Sequence, residues 1–126
     1  MSEDAAVEAA RSVMDAHLVA LNARDREALA ATLHFPHYRL ASGRMQVWET
    51  SERYLDDFFA RAGDGWDHSR WDSIEVIAAS PGKVHLDVRF TRFKADGEPL
   101  GQFRSLWVIA EQDGRWAAAL RSSFAS

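Results

Sequence analysis

The stretch "GQFRSLWVIAEQDGRWAAALRSSF", residues 101–124, decides the fold class. Two runs of alternating side chains meet at Asp113-Gly114. That dipeptide suits a two-residue hairpin loop, whose central residues need positive φ. Towards the N-terminus the same grammar repeats, with "ADGE" at 95–98 and "SPGK" at 80–83 separating further alternating runs. The spacing predicts four antiparallel strands near 72–79, 83–94, 100–111 and 115–124, with 64–71 as a loop or lead-in.

Upstream the period changes. Val7, Ala10, Met14, His17, Leu18 and Leu21 recur at three- and four-residue steps, which predicts a helix over 3–22. Asp25 suits the N-cap of a short second helix running through Leu33. Pro36 ends helical continuation, and "HFPHYRLASG" (34–43) then alternates. With Ser42-Gly43 as a tight turn, Leu40 opposes Met45 and Tyr38 opposes Val47, while His37 opposes Trp48 and Arg39 opposes Gln46. A third helix starts near Thr50 or Ser51, carries Tyr54, Leu55, Phe58 and Phe59, and stops at Gly63. The sum is an α+β domain spanning 1–126, with three N-terminal helices on a strongly curved antiparallel β-sheet.

Composition bounds the function. The chain has 126 residues, 47% of them apolar, which is ample for one core. A net charge of −4 argues against general binding to nucleic acid or anionic membrane, both of which favour a basic face. Arginine outnumbers lysine 13 to 2, a bias towards planar, bidentate or buried roles for the cations. The absence of cysteine excludes disulfides and thiolate chemistry. No run of 18 apolar residues occurs and "MSEDAAVEAA" is not a signal peptide, so a soluble cytoplasmic protein is expected. His34 and His37 flank a proline, and no H-x-H or H-x-x-E spacing occurs, so neither a metal nor a cofactor is expected. His34 suits a carbonyl-satisfying role at the end of the second helix.

Two regular hairpins would pair Phe90 with Phe103, Leu86 with Trp107 and Arg89 with Arg104, then Trp107 with Leu120, Leu106 with Arg121 and Phe103 with Phe124. One face is then apolar: Leu86, Val88, Phe90, Phe103, Trp107, Leu120 and Phe124. The other mixes His85, Asp87, Arg89, Gln102, Arg104, Leu106, Val108, Ala119, Arg121 and Ser123. Composition alone turns the apolar face to the helices, and one bulge would change these lists beyond it.

The order helix, short helix, strand pair, helix and long meander resembles the nuclear transport factor 2-like superfamily. That superfamily includes steroid Δ-isomerases, scytalone dehydratase, limonene epoxide hydrolase and SnoaL-type polyketide cyclases. "HLVALNARDREALAATL" (17–33) is similar to the opening of the isomerases, and "DGRW" (113–116) is typical before the last strand. The resemblance implies a pocket on the concave side of the sheet and reverses the face assignment. The isomerases' oxyanion-binding aspartate falls at Leu106, and their last-strand pocket residues fall at Ala119, Arg121 and Ser123, all on the mixed face. Their first-helix tyrosine falls at His17. Their general-base aspartate falls near Ala41, where no carboxylate lies between His34 and Arg44. On that reading the Phe/Trp face is convex and exposed, and it forms a homodimer.

The expected site therefore has His17 or His37 as acid–base with Asp87 orienting the proton, because imidazole titrates near neutrality. Arg39, Trp48, Arg89, Arg104 and Arg121 would bind an anionic group on a small apolar ligand. Two functions follow from this pattern: an isomerase, dehydratase, cyclase or hydrolase, or a non-catalytic ligand-binding or dimerisation domain whose charges form a structural network.

Overall fold

A computed structural model describes residues 2–62 and 65–124, with the side chains of residues 61 and 62 left aside. Helix α1 spans Glu3–Ala23. Ser2 caps it, its hydroxyl accepting from the Ala5 N–H at 3.1 Å, and Glu3 and Asp4 complement the helix dipole. Arg24 ends it in the left-handed region at φ 53°. The buried stripe is Ala6, Ala10, Val13, Met14, His17, Ala20 and Leu21. Helix α2, Arg26–Ala30, is capped by Asp25 as its sequence predicts, but it ends three residues before Leu33.

Leu33 already belongs to strand β1, Leu33–Ala41, so Pro36 lies inside a strand rather than marking its approach. It falls where pairing with the last strand loses regularity, between Leu33 and Tyr38, which suits a residue without an N–H. Strand β2, Arg44–Trp48, pairs with β1 in the predicted register, Leu40 opposite Met45 and His37 opposite Trp48. Ser42 and Gly43 both take positive φ in the turn between them. Helix α3 covers Ser51–Ala62, and the expected stop at Gly63 lies outside the described residues.

Strand β3 runs His68–Ser80, so the second half of the supposed lead-in is strand. Strands β4 (Lys83–Phe93), β5 (Pro99–Gln112) and β6 (Arg115–Ser123) complete one six-stranded sheet of order β2-β1-β6-β5-β4-β3. The sheet is curved and unclosed, with the helices packed against it. All neighbouring strands are antiparallel except β1 and β6, which are parallel. Asn22 in α1 both donates to and accepts from the Ser69 backbone, and Trp71 Nε1 donates to the Met14 carbonyl, clamping α1 to β3. Arg24 adds bonds to the Trp66 and Asp67 carbonyls.

The β4–β5 ladder pairs Phe90 with Phe103, Leu86 with Trp107 and Arg89 with Arg104, as predicted. The β5–β6 ladder keeps the predicted register only from the turn to Ile109–Ala118. A bulge then inserts Ala119, and Trp107 faces Arg121 while Val108 faces Leu120. The expected pairs Trp107–Leu120 and Leu106–Arg121 do not form.

The apolar face meets the helices, which overturns the reversed assignment. Val84, Leu86, Val88, Phe90, Trp107 and Ile109 are buried with Met14, Leu21, Leu29 and Leu33 in one core. Burying such side chains gains about 1.5–3 kcal/mol each, far more than burying the Asp87 and Arg104 side of the strands could. Phe90, Phe103 and Trp107 therefore do not form a convex dimer surface. The bulge sends Arg121 and Ser123 to the helix side and turns Leu120 and Phe124 outwards, so each face holds members of both predicted lists.

Candidate functional site

Between the helices and the sheet lies a cavity of about 30 Å³, room for roughly two waters. His17 and Leu21 reach it from α1, Phe58 from α3 and Arg39 from β1. Ser69 and Trp71 come from β3, Phe90 and Arg92 from β4, Ser105 and Trp107 from β5, and Arg121 and Ser123 from β6. No carboxylate occurs among these described lining residues. Three guanidinium groups are present.

Arg121 is the best defined of the three. The Ala119 bulge turns it inwards, where it is buried and donates from Nη2 to the Tyr54 hydroxyl at 2.6 Å. The guanidinium lies over two rings, 5.0 Å from the Trp107 centroid and 5.6 Å from that of Tyr54. Its Nε is buried without an acceptor, and the Nε1 of Trp107 beside it is in the same state. Each such unspent donor costs about 1–3 kcal/mol. Arg92 covers Phe103 and Phe90 at 4.9 and 5.7 Å. Burial and the nearby charge of Arg121 pull Arg92 below the ordinary arginine value. Arg39 is buried in the same wall.

His17 and His37 are neutral at physiological pH. Burial, then Arg121, then His37 lower the pKa of His17 to about 3. Burial and Arg121 likewise bring His37 to about 3, although its bonds to the Ala118 and His34 backbones oppose the fall. His37 donates from Nδ1 to the Ala118 carbonyl at 3.2 Å and packs edge-on to Tyr54, 5.2 Å between centroids. It is not part of the cavity lining. His17 packs against Trp107 at 5.0 Å and Trp71 at 6.2 Å, inside the cavity wall.

The structure thus brings His17, Arg39 and Arg121 together around one space and leaves the other expected site residues elsewhere. Trp48 is buried against Tyr54 and donates from Nε1 to Asp57 at 2.8 Å, closing the seam between β2 and α3. Asp87, Arg89 and Arg104 lie on the outer face, because their strands present the opposite parity to the helices. Arg104 grips Asp87 with two bonds of 2.9 and 2.8 Å, which hold the Asp87 carboxyl below its usual range. Arg89 and Arg104 border an open cleft with Asp72, Gln102, Phe103 and Phe124 instead. Arg92, Trp71, Ser69 and Ser105 line the cavity without being expected there from the sequence, whereas Ser123 lies where the family resemblance implies. Arg92 had a signal, since it continues the inward row Leu86, Val88, Phe90 by two residues. His34 donates to the Ala110 carbonyl at 2.8 Å and takes part in β1, not in a helix end. No group of three or more His, Asp or Glu side chains among the described residues could hold a metal ion.

Helices folded over one side of a curved open sheet, with a small cavity between them, define a small α+β domain. The chain belongs to the family described as "NTF2-like protein (DUF6841)", which matches residues 7–120. No curated protein matches the chain. An NTF2-like protein of unknown function from Pseudomonas putida KT2440 superposes with a TM-score of 0.77 at 14% identity, covering 100% of this chain and 90% of that one. An NTF-2 like protein of unknown function from Shewanella oneidensis MR-1 gives 0.75 at 13% identity, over 94% and 98% of the two chains. An NTF2-like protein from Cytophaga hutchinsonii gives 0.71 at 18%, over the full length of both. These likenesses establish the fold. Among the described residues no helix is long and apolar enough to cross a membrane.

Proposed function

We propose that the cavity binds a small organic anion, a carboxylate carried on a compact apolar body. The observation that carries this reading is Arg121: a buried guanidinium whose described partners are all neutral, in a wall without a described carboxylate. A buried cation is costly unless paired, and a bound carboxylate supplies the missing charge. The unspent N–H groups of Arg121 and Trp107 are donors awaiting an acceptor. Leu21, Phe58, Trp71 and Phe90 supply apolar walls for the rest of the molecule. A head group fits the present cavity, and a larger body requires an aromatic side chain to swing.

Thermal melting with acetate, benzoate and phenylacetate at constant ionic strength tests the proposal. A ligand at 100 times its Kd stabilises the fold by about 2.7 kcal/mol, roughly 10 °C for a chain of this size. Arg121→Met should abolish that response. The proposal fails if no carboxylate shifts the melting temperature of the wild-type protein, or if the Arg121→Met protein responds equally.

A further inference from the structure

We infer that the anion also carries a hydroxyl beside its carboxylate, and that the Nε2 of His17 accepts a hydrogen bond from it. The inference rests on the anion-binding reading and adds a substrate class to it: small 2-hydroxy acids.

The tautomer of His17 follows from its neighbours. Thr32 Oγ1 lies 2.7 Å from the Leu29 carbonyl, which can only accept, so the one hydroxyl proton of Thr32 is spent there. The 2.8 Å contact between Thr32 Oγ1 and His17 Nδ1 must then use a proton on the histidine. Nδ1 carries the hydrogen, and Nε2 holds a lone pair. Nδ1 is turned to Thr32, which does not line the cavity, so the opposite edge of the ring fronts it. Burial and Arg121 keep that lone pair unprotonated across physiological pH.

The wall is otherwise rich in donors. Arg39, Arg92, Arg121 and Trp107 can only donate, and the serine hydroxyls do either. His17 is the one side chain among the described lining residues that faces the cavity as an acceptor alone. His17 and Arg121 each lie 5.0 Å from the Trp107 ring centre and both line the one small cavity, so a single ligand there can contact both. A plain carboxylate would leave Nε2 dry and unpaired. A 2-hydroxy acid satisfies both ends.

Calorimetric titration with glycolate against acetate, and mandelate against phenylacetate, reads this directly. The hydroxylated member of each pair should bind about tenfold tighter to the wild type. His17→Leu should bring that ratio close to one. Thr32→Val, which releases the Nδ1 proton from its fixed acceptor, should also reduce it, and it keeps the test available if the His17 variant does not fold. Nitrogen-15 shifts of the histidine rings should show His17 protonated at Nδ1 alone. Equal binding within each pair, or a proton on Nε2, overturns the hydroxyl inference while leaving anion binding intact. Failure of all four acids to bind overturns both.

Discussion

Trp107 pairs with Arg121 across the β5–β6 ladder, and the guanidinium of Arg121 lies 5.0 Å from the centre of the Trp107 indole. One extra residue in β6, Ala119, creates that contact. Without the bulge Leu120 would fill the position and the cavity would have lost its best-placed cation. The bulge therefore shapes the cavity more directly than any motif in the chain.

The first prediction concerns the cost of that cation. Arg121→Met removes a buried charge but keeps most of its volume, so the folded state should be as stable as the wild type or more so. Urea denaturation checks this. A destabilisation of several kcal/mol would mean that Arg121 is held chiefly for the Tyr54 bond and its ring contacts.

A second prediction follows from the neutral histidines. His17 and His37 hold pKa values of about 3 in the folded chain, against 6.5 for the free side chain. Between those values the unfolded state binds more protons, so stability rises with pH through this window. It is complete above the unfolded value and declines as pH falls from about 6.5 towards 3. At pH 5 the loss should approach about 2 kcal/mol per histidine relative to pH 7.5. Denaturation at the two pH values measures it, and His17→Gln should remove about half of the slope.

A third prediction separates the outer charges from the cavity. Arg104 and Asp87 face away from the helices and satisfy one another. Arg104→Gln should leave carboxylate binding unchanged in the same melting assay that Arg121→Met silences. Loss of binding in the Arg104 variant would move the site to the outer cleft beside Arg89.

Much of this architecture is legible in the chain because alternation and turn chemistry are local. Asp113-Gly114 and Ser42-Gly43 each adopt the positive φ their turns require, and the registers beside them hold. The loop at Asp96-Gly97 is longer than two residues, with Lys94 donating to the Glu98 carbonyl, but an irregularity beside Phe93 restores the expected register. Parity beyond a bulge is not local. Nothing in "RWAAALRSS" marks Ala119 as the extra residue, since no glycine or proline stands there. The start of β3 was hidden for the same reason: a shift between Trp71 and Ser73 breaks the alternation that would have carried the strand back to His68. The family resemblance placed Arg121 and Ser123 on the concave side, yet it carried Arg89 and Arg104 there too. Parity on β4 and β5 is set by burial of Leu86, Val88 and Trp107, and it overrode that transfer.

The last prediction concerns the outer face. Val47, Tyr38, Leu120 and Val108 form one row across β2, β1, β6 and β5, with Met45 and Leu40 beside it. Most of these side chains are exposed: Met45 at 63%, Val47 at 47% and Leu40 at 43%. A contiguous apolar row of this kind is uncommon on a monomer. The same face carries charges of both signs in Asp87, Arg89 and Arg104, so two copies related by a twofold axis can oppose unlike charges around an apolar centre. The expected outcome is a homodimer through this surface, built from a different set of residues than Phe90, Phe103 and Trp107. Light scattering at high micromolar concentration should report twice the chain mass of 14.2 kDa. Leu120→Glu places a charge at the centre of the row without touching the helix-side core, and it should return the protein to a monomer with its circular dichroism unchanged. A wild-type protein that is monomeric at that concentration would leave the row without a self-association role.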